Sequence, residues 1–306
     1  MITICREDTN TIKAIAILLI IIGHNHILAP SRGMLFNYLY SFHVATFFIL
    51  PFFYGRTAGN FGEYLVKNSM KLLLPYTSFY LIGLFYMLLR GNTDLVNAVG
   101  GFFHVGGITQ KDGCGIILVW FLLCFWCMSI LKYYMDRSMA ISIIVLLICI
   151  ILSIIDWPFV WNVLFKYSPL MIVRAIYYAG IGLATQLMVS KVPHYRIISI
   201  LIFVVYGVYY LYSCVYLPES IIAPFAFVSI WSLARLLKGY RVFQFIGKQS
   251  LEIYLIHIFV CNILYGLLPM TIIGGTINLL LTILLSLLII QIIKHFPIIN
   301  KALFYK

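Results

Sequence analysis

Charge is what this chain has least of. Only 10% of its 306 residues are Asp, Glu, Lys or Arg, and just nine of them are acidic. With 63% hydrophobic residues and a mean hydropathy of +1.03, no soluble domain of this size could hide its apolar surface. This excludes a soluble globular protein and predicts an all-α, polytopic membrane helical bundle, because a segment in lipid must satisfy its own backbone hydrogen bonds. No stretch is long enough for a separate soluble domain, so residues 1–306 read as one transmembrane domain. The P-loop, the GxGxxG fingerprint, internal repeats and low-complexity tracts are all missing. A signal-peptidase site is missing too, since Leu28-Ala29 runs straight into Pro30. Of the seven cysteines, Cys124 and Cys127 have the CxxC spacing. They sit in an apolar helix beside Trp126 and read as packing residues, so no metal site is expected.

What is there is apolar periodicity and a basic excess. The hydrophobic runs predict about ten transmembrane helices, near 12–29, 35–54, 71–89, 115–134, 139–155, 168–189, 196–213, 219–236, 248–268 and 272–294, the second interrupted by Pro51. The net charge of +12 comes from basic residues scattered over short loops, which argues against a nucleic-acid surface. With the N-terminus inside, sixteen of the 21 Lys and Arg fall on the cytoplasmic side; Arg32, Arg90, Lys111, Lys166 and Arg174 fall outside. That bias predicts an even helix count with both termini cytoplasmic. The longest outer connection, near 90–114, is Gly-rich and reads either as an entrance or as a plain connector.

Ionisable groups at membrane depth are costly, and each is a candidate for function. Lys13 opens the first apolar run and His24 closes it, eleven residues or roughly 16 Å further along the helix. His43 lies about eight residues into the descending second helix, roughly 12 Å deep, so the two imidazoles fall at one level on neighbouring helices. His257, on the ninth helix, falls near the membrane midplane, one face along from Glu252 and Tyr254. Arg174 either snorkels outward or binds substrate. Lys67 and Lys71 are most cheaply explained as positive-inside anchors. His26 reads as solvated at the outer interface.

These residues resemble the acyltransferase-3 family of integral membrane acyltransferases. The similarity lies in Lys13, ten residues, then Gly23-His24; in Ser41-Phe42-His43 with Phe47-Phe48; in Lys71-Leu72-Leu73-Leu74-Pro75-Tyr76; in Trp120-Phe121-Leu122; and in Gly247-Lys248-Gln249-Ser250-Leu251, continuing to Tyr254-Leu255-Ile256-His257. The order is kept over about residues 10–260. Departures occur at Asn10, where an acidic residue is common, at Asn68, where a second arginine is expected, and at Pro51-Phe52-Phe53 in place of Ser-Gly-Phe. The resemblance implies an O-acyltransferase of a bacterial inner membrane, moving acetyl from cytoplasmic acetyl-CoA to a hydroxyl of a cell-envelope polysaccharide or lipid-linked sugar. It implies His24 and His43 as catalytic, and Lys13, Lys67 and Lys71 as binding acyl-CoA. Arg174, Trp120, Glu252 and His257 would contact substrate, among membrane lipids and without nucleic acid. The rival readings are a transporter or flippase of a lipid-linked sugar and a non-catalytic membrane protein.

Overall fold

The computed structural model describes residues 3–31, 33–57, 59–155, 157–215 and 217–305; Arg32 lies outside this set. Among the described residues the chain is helical throughout, without a strand. In chain order the helices are α1 (Arg6–His24), α2 (Met34–Tyr40), α3 (Ala45–Ile49), α4 (Phe61–Leu89), α5 (Leu95–Phe103), α6 (Gln110–Cys114), α7 (Trp120–Met135), α8 (Met139–Ile154) and α9 (Trp157–Phe159). Then follow α10 (Ile172–Lys191), α11 (Tyr195–Ser213), α12 (Glu219–Leu237), α13 (Arg241–Lys248), α14 (Ser250–Tyr265), α15 (Ile272–Lys294) and α16 (Pro297–Phe304). Among the described residues, seven helical segments are long and apolar enough to cross a membrane: 34–53, 61–89, 117–135, 169–191, 195–213, 219–237 and 272–294. The other three expected segments are α1, whose first turns carry Arg6, Glu7, Asp8 and Lys13, and the 16-residue apolar helices α8 and α14.

The boundaries differ from the sequence reading in instructive places. α1 starts at Arg6, six residues early, because the Cys5 side chain caps it by accepting from Asp8 N–H. The second segment breaks at residues 41–44, and Pro51 opens a 3-10 turn, Leu50–Phe53, that continues it. At the break, Ser41 Oγ donates to the Tyr38 carbonyl, His43 Nδ1 to Leu39 and Thr46 Oγ1 to Phe42. Side chains that bond back to carbonyls compete with the helix ladder and bend it. α4 starts ten residues before the expected 71, capped by Asn60 accepting from Glu63 N–H. Lys67 and Lys71 therefore lie four apart on one helix, on the same exposed face.

The chain forms two compact units, residues 1–55 with 181–292, and residues 56–180 with 293–306. In the first, α1 is buried along most of its length. Gln244 of α13 donates to the Glu7 carbonyl and to Thr11 Oγ1, both at 2.9 Å, and accepts from Asn10 Nδ2 at 3.1 Å. Trp231 Nε1 of α12 donates to Asp8 Oδ2 at 3.2 Å, with Arg235 Nε 3.8 Å from the same oxygen. These bonds account for a charged turn at the head of a buried helix: Asp8 Oδ2, Asn10 and Thr11 each meet a partner, while Asp8 Oδ1 has none among the described residues.

In the second unit, α4 and α7 are joined by Trp126 Nε1 donating to Ser69 Oγ (3.0 Å) and Tyr64 Oη donating to the Ser129 carbonyl (2.9 Å). Asp136, just past α7, accepts from Thr57 N–H, Thr57 Oγ1 and Lys132 Nζ. The 90–114 connection is folded into α5 and α6. Tyr80 Oη of α4 donates to the Ala98 carbonyl at 2.7 Å, and Tyr76 Oη donates to Phe102.

Candidate active site

In the first unit three imidazoles and one phenol come together. The His24 and His257 rings are 5.2 Å apart, edge to face. Tyr40 stands between His24 (6.1 Å) and His43 (4.6 Å), stacked on Phe36 at 3.9 Å. A Cβ on Gly23, next to His24, would lie 3.9 Å from His43 Nε2. His43 and His257 are wholly buried.

The chemistry of the cluster follows from its backbone. His24 Nδ1 lies 2.9 Å from the Ile20 carbonyl, and His257 Nδ1 lies 2.8 Å from Tyr254 and 3.1 Å from Ile253. His43 Nδ1 faces the Leu39 carbonyl in the same way. A carbonyl only accepts, so in each ring the proton sits on Nδ1 and the basic lone pair is on Nε2. His24 Nε2 accepts a long bond of 3.4 Å from Tyr40 Oη. His43 Nε2 and His257 Nε2 are buried with no partner among the described residues. Three imidazoles at helical spacing from a carbonyl thus present three Nε2 lone pairs as ready proton acceptors. Among the described residues, no three His, Cys, Asp or Glu side chains are placed to hold a metal ion.

His24 ends α1, and the next residue fixes that end. Asn25 is fully buried; its Nδ2 donates to the Gly275 carbonyl of α15 at 2.8 Å, and its Oδ1 accepts from Ile27 and Leu28 N–H. Cys261 of α14 donates to the His24 carbonyl at 3.5 Å and to Asn278 Oδ1. Asn25 and Tyr40 were missed in the sequence. Asn25 had a readable signal, as a polar residue directly after a helix end; Tyr40 had none among 22 tyrosines. His26 lies at 3.3 Å from Ser31 Oγ and lines an open hollow with Ile27, Pro30, Tyr265 and Met270. Of the other expected residues in this unit, Glu252 is fully buried in the first turn of α14, and Lys13 is half-buried on α1.

Arg174 and Trp120 come together in the second unit, where Arg174 is 8% exposed. Its guanidinium carbon lies 3.6 Å from the centre of the Trp120 ring and 4.3 Å from that of Trp161. Lys67 and Lys71 are on α4 of the same unit. His104, which ends α5 in the left-handed region (φ 49°), donates from Nε2 to the Phe165 carbonyl at 3.1 Å. It lies outside the candidate spans. Burial, with repulsion from Arg174, holds its pKa below the ordinary 6.5, against the Phe165 bond that raises it. The unfolded chain then binds a proton that the folded one refuses, so this group's stability is present above pH 6.5 and lost as pH falls through the folded pKa. The midpoint of thermal unfolding in detergent should drop on that acid limb, with a slope of at most about 1.4 kcal/mol per pH unit. His104→Gln should flatten it; an unchanged limb assigns the acid sensitivity elsewhere.

The sequence model of the acyltransferase-3 family, described as an acyltransferase domain, matches residues 7–295, which run through both units. The chain belongs to this family, and it is an integral membrane acyltransferase. No curated protein matches it, and no solved structure does.

Proposed function

We propose that the protein moves an acyl group, acetyl in the first instance, from a cytoplasmic acyl-CoA to a hydroxyl of an envelope polysaccharide or a lipid-linked sugar, in a bacterial inner membrane with both termini inside. The observation that carries this reading is the set of Nε2 lone pairs at His24, His43 and His257, each ring locked by its own helix carbonyl. An alcohol is a poor nucleophile at neutral pH and needs a positioned base. In the proposed reaction His24 Nε2 takes the acceptor's hydroxyl proton as its oxygen attacks the thioester carbonyl carbon. The tetrahedral oxyanion then collapses, the carbon–sulfur bond breaks, and the imidazolium returns the proton to the departing thiolate.

The 3.4 Å bond from Tyr40 is longer than the 2.7–3.0 Å of a strong one, so the phenol gives it up cheaply. Its O–H is then available to the developing oxyanion, with His43 as a second donor or orienting group. Lys67 and Lys71, one helical turn apart and exposed, suit the CoA phosphates, with Lys13 as a further cation. Glu252 and His257 border the acyl group in this reading. The hollow beside His26, two residues past His24, is the proposed acceptor approach.

The cheapest test is a thermal-shift scan of purified protein with acetyl-CoA, CoA and a blank. A shift with acetyl-CoA or CoA supports the reading; none in either favours the transporter or the non-catalytic alternative. Lys71→Gln should weaken CoA binding about threefold to tenfold and reduce its salt dependence. Unchanged affinity would leave Lys71 a topology anchor.

A further inference from the structure

The Arg174 guanidinium is enclosed by aromatic faces, with Trp120 and Trp161 nearest and Phe165 and Tyr178 within 6 Å of its carbon. The residue is more than nine-tenths buried, its Nε has no hydrogen-bond partner, and no carboxylate forms an ion pair with it among the described residues. His104 lies close enough for the Arg174 charge to lower its pKa. Ring faces attract a cation, but they leave its N–H edge unsatisfied. Among the described residues this cation has no counter-ion, and keeping a charge buried and unpaired is costly. The backbone here is costly as well. Leu170 (φ 52°) and Met171 (φ 59°), just before α10, and His104 (φ 49°) are side-chain-bearing residues in the left-handed region. Such strain gathers where a fold holds a functional group in place.

We infer that Arg174 is the receptor for an oxyanion, a phosphate or carboxylate group, on the acyl acceptor; the word acceptor rests on the acyl-transfer reading above, the anion site does not. With two indole rings within 4.3 Å of the guanidinium carbon, the open part of the group is its planar fork, which matches two oxygens of one anion. Aromatic walls and a position within a candidate span fit an anion attached to an apolar or glycosyl body better than a free ion.

The test uses full-length protein in neutral detergent, titrated separately with dodecyl phosphate, decanoate, inorganic phosphate and coenzyme A. Thermal unfolding and tryptophan emission are followed together, since Trp120 and Trp161 face the cation. The wild type should respond to dodecyl phosphate, decanoate or inorganic phosphate, the three arms deciding between phosphate and carboxylate and between amphiphile and free ion. Arg174→Gln should abolish the response. Arg174→Lys keeps the charge and a cation–π contact but loses the planar fork, and should bind at least tenfold more weakly. His24→Ala should respond as the wild type does, whether or not it transfers acyl groups. No response in the wild type, a response to coenzyme A alone, Arg174→Lys binding as tightly as wild type, or loss of the response in His24→Ala would each overturn the assignment.

Discussion

Replacing His24 by Ala should lower acyl transfer in proteoliposomes, measured with labelled acetyl-CoA and an acceptor glycan, by two to four decades. That is the range a positioned base contributes, about 3–5 kcal/mol of barrier. The fold should survive. The helix end is held by the Asn25 side chain and by the His24 backbone carbonyl, neither of which the substitution touches. CoA affinity should change little, since in this reading its phosphates are held by lysines. His24→Gln sharpens the test, because the amide is polar and of similar reach but takes no proton. If the folded and inserted Gln variant transfers at the wild-type rate, His24 is not the base, and His43 or His257, whose Nε2 atoms have no partner among the described residues, take its place as candidates.

The second large effect is structural and lies at Gly247. A Cβ there would fall 1.8 Å from the Asn10 carbonyl oxygen and 2.5 Å from its carbon. Both obstacles are backbone, so no side-chain rotation relieves them; α13 and α1 must part. Overpacking commonly costs 1–3 kcal/mol, and a backbone collision belongs at or above the upper end. Gly247→Ala should therefore lower the unfolding midpoint in detergent by roughly 6–12 °C, at 2–4 °C per kcal/mol. It should also disturb the Gln244 bonds that tie α13 to α1. An Ala variant with the wild-type midpoint would mean that the two helices do not approach this closely. The glycine of the Gly-Lys-x-Ser-Leu pattern thus has a packing reason, independent of any chemistry.

Helix class, the approximate position of ten apolar segments and the resemblance to a family were legible because each depends on local composition. The 3.6-residue period and the absence of charge are written in adjacent residues. Boundaries went astray where a side chain competed with the backbone, as Cys5 and Asn60 do by capping and Ser41, His43 and Thr46 do by bonding back to carbonyls. Depth arithmetic brought His24 and His43 to one level, since rise per residue is fixed. It could not reach Tyr40, whose role depends on where a ring points between two others.

By itself the sequence determined that this is a helical membrane protein with too few charges to be anything else, and which ionisable residues lie among its apolar runs. Only the tertiary structure decided which of those residues meet. It set His257 against His24 across more than two hundred residues, put Tyr40 beside both His24 and His43, and brought two indoles against Arg174. The reason is that periodicity fixes the face a side chain occupies on its own helix, while the neighbour on that face is chosen by packing. Close approaches such as Gly247 against Asn10 are what choose it.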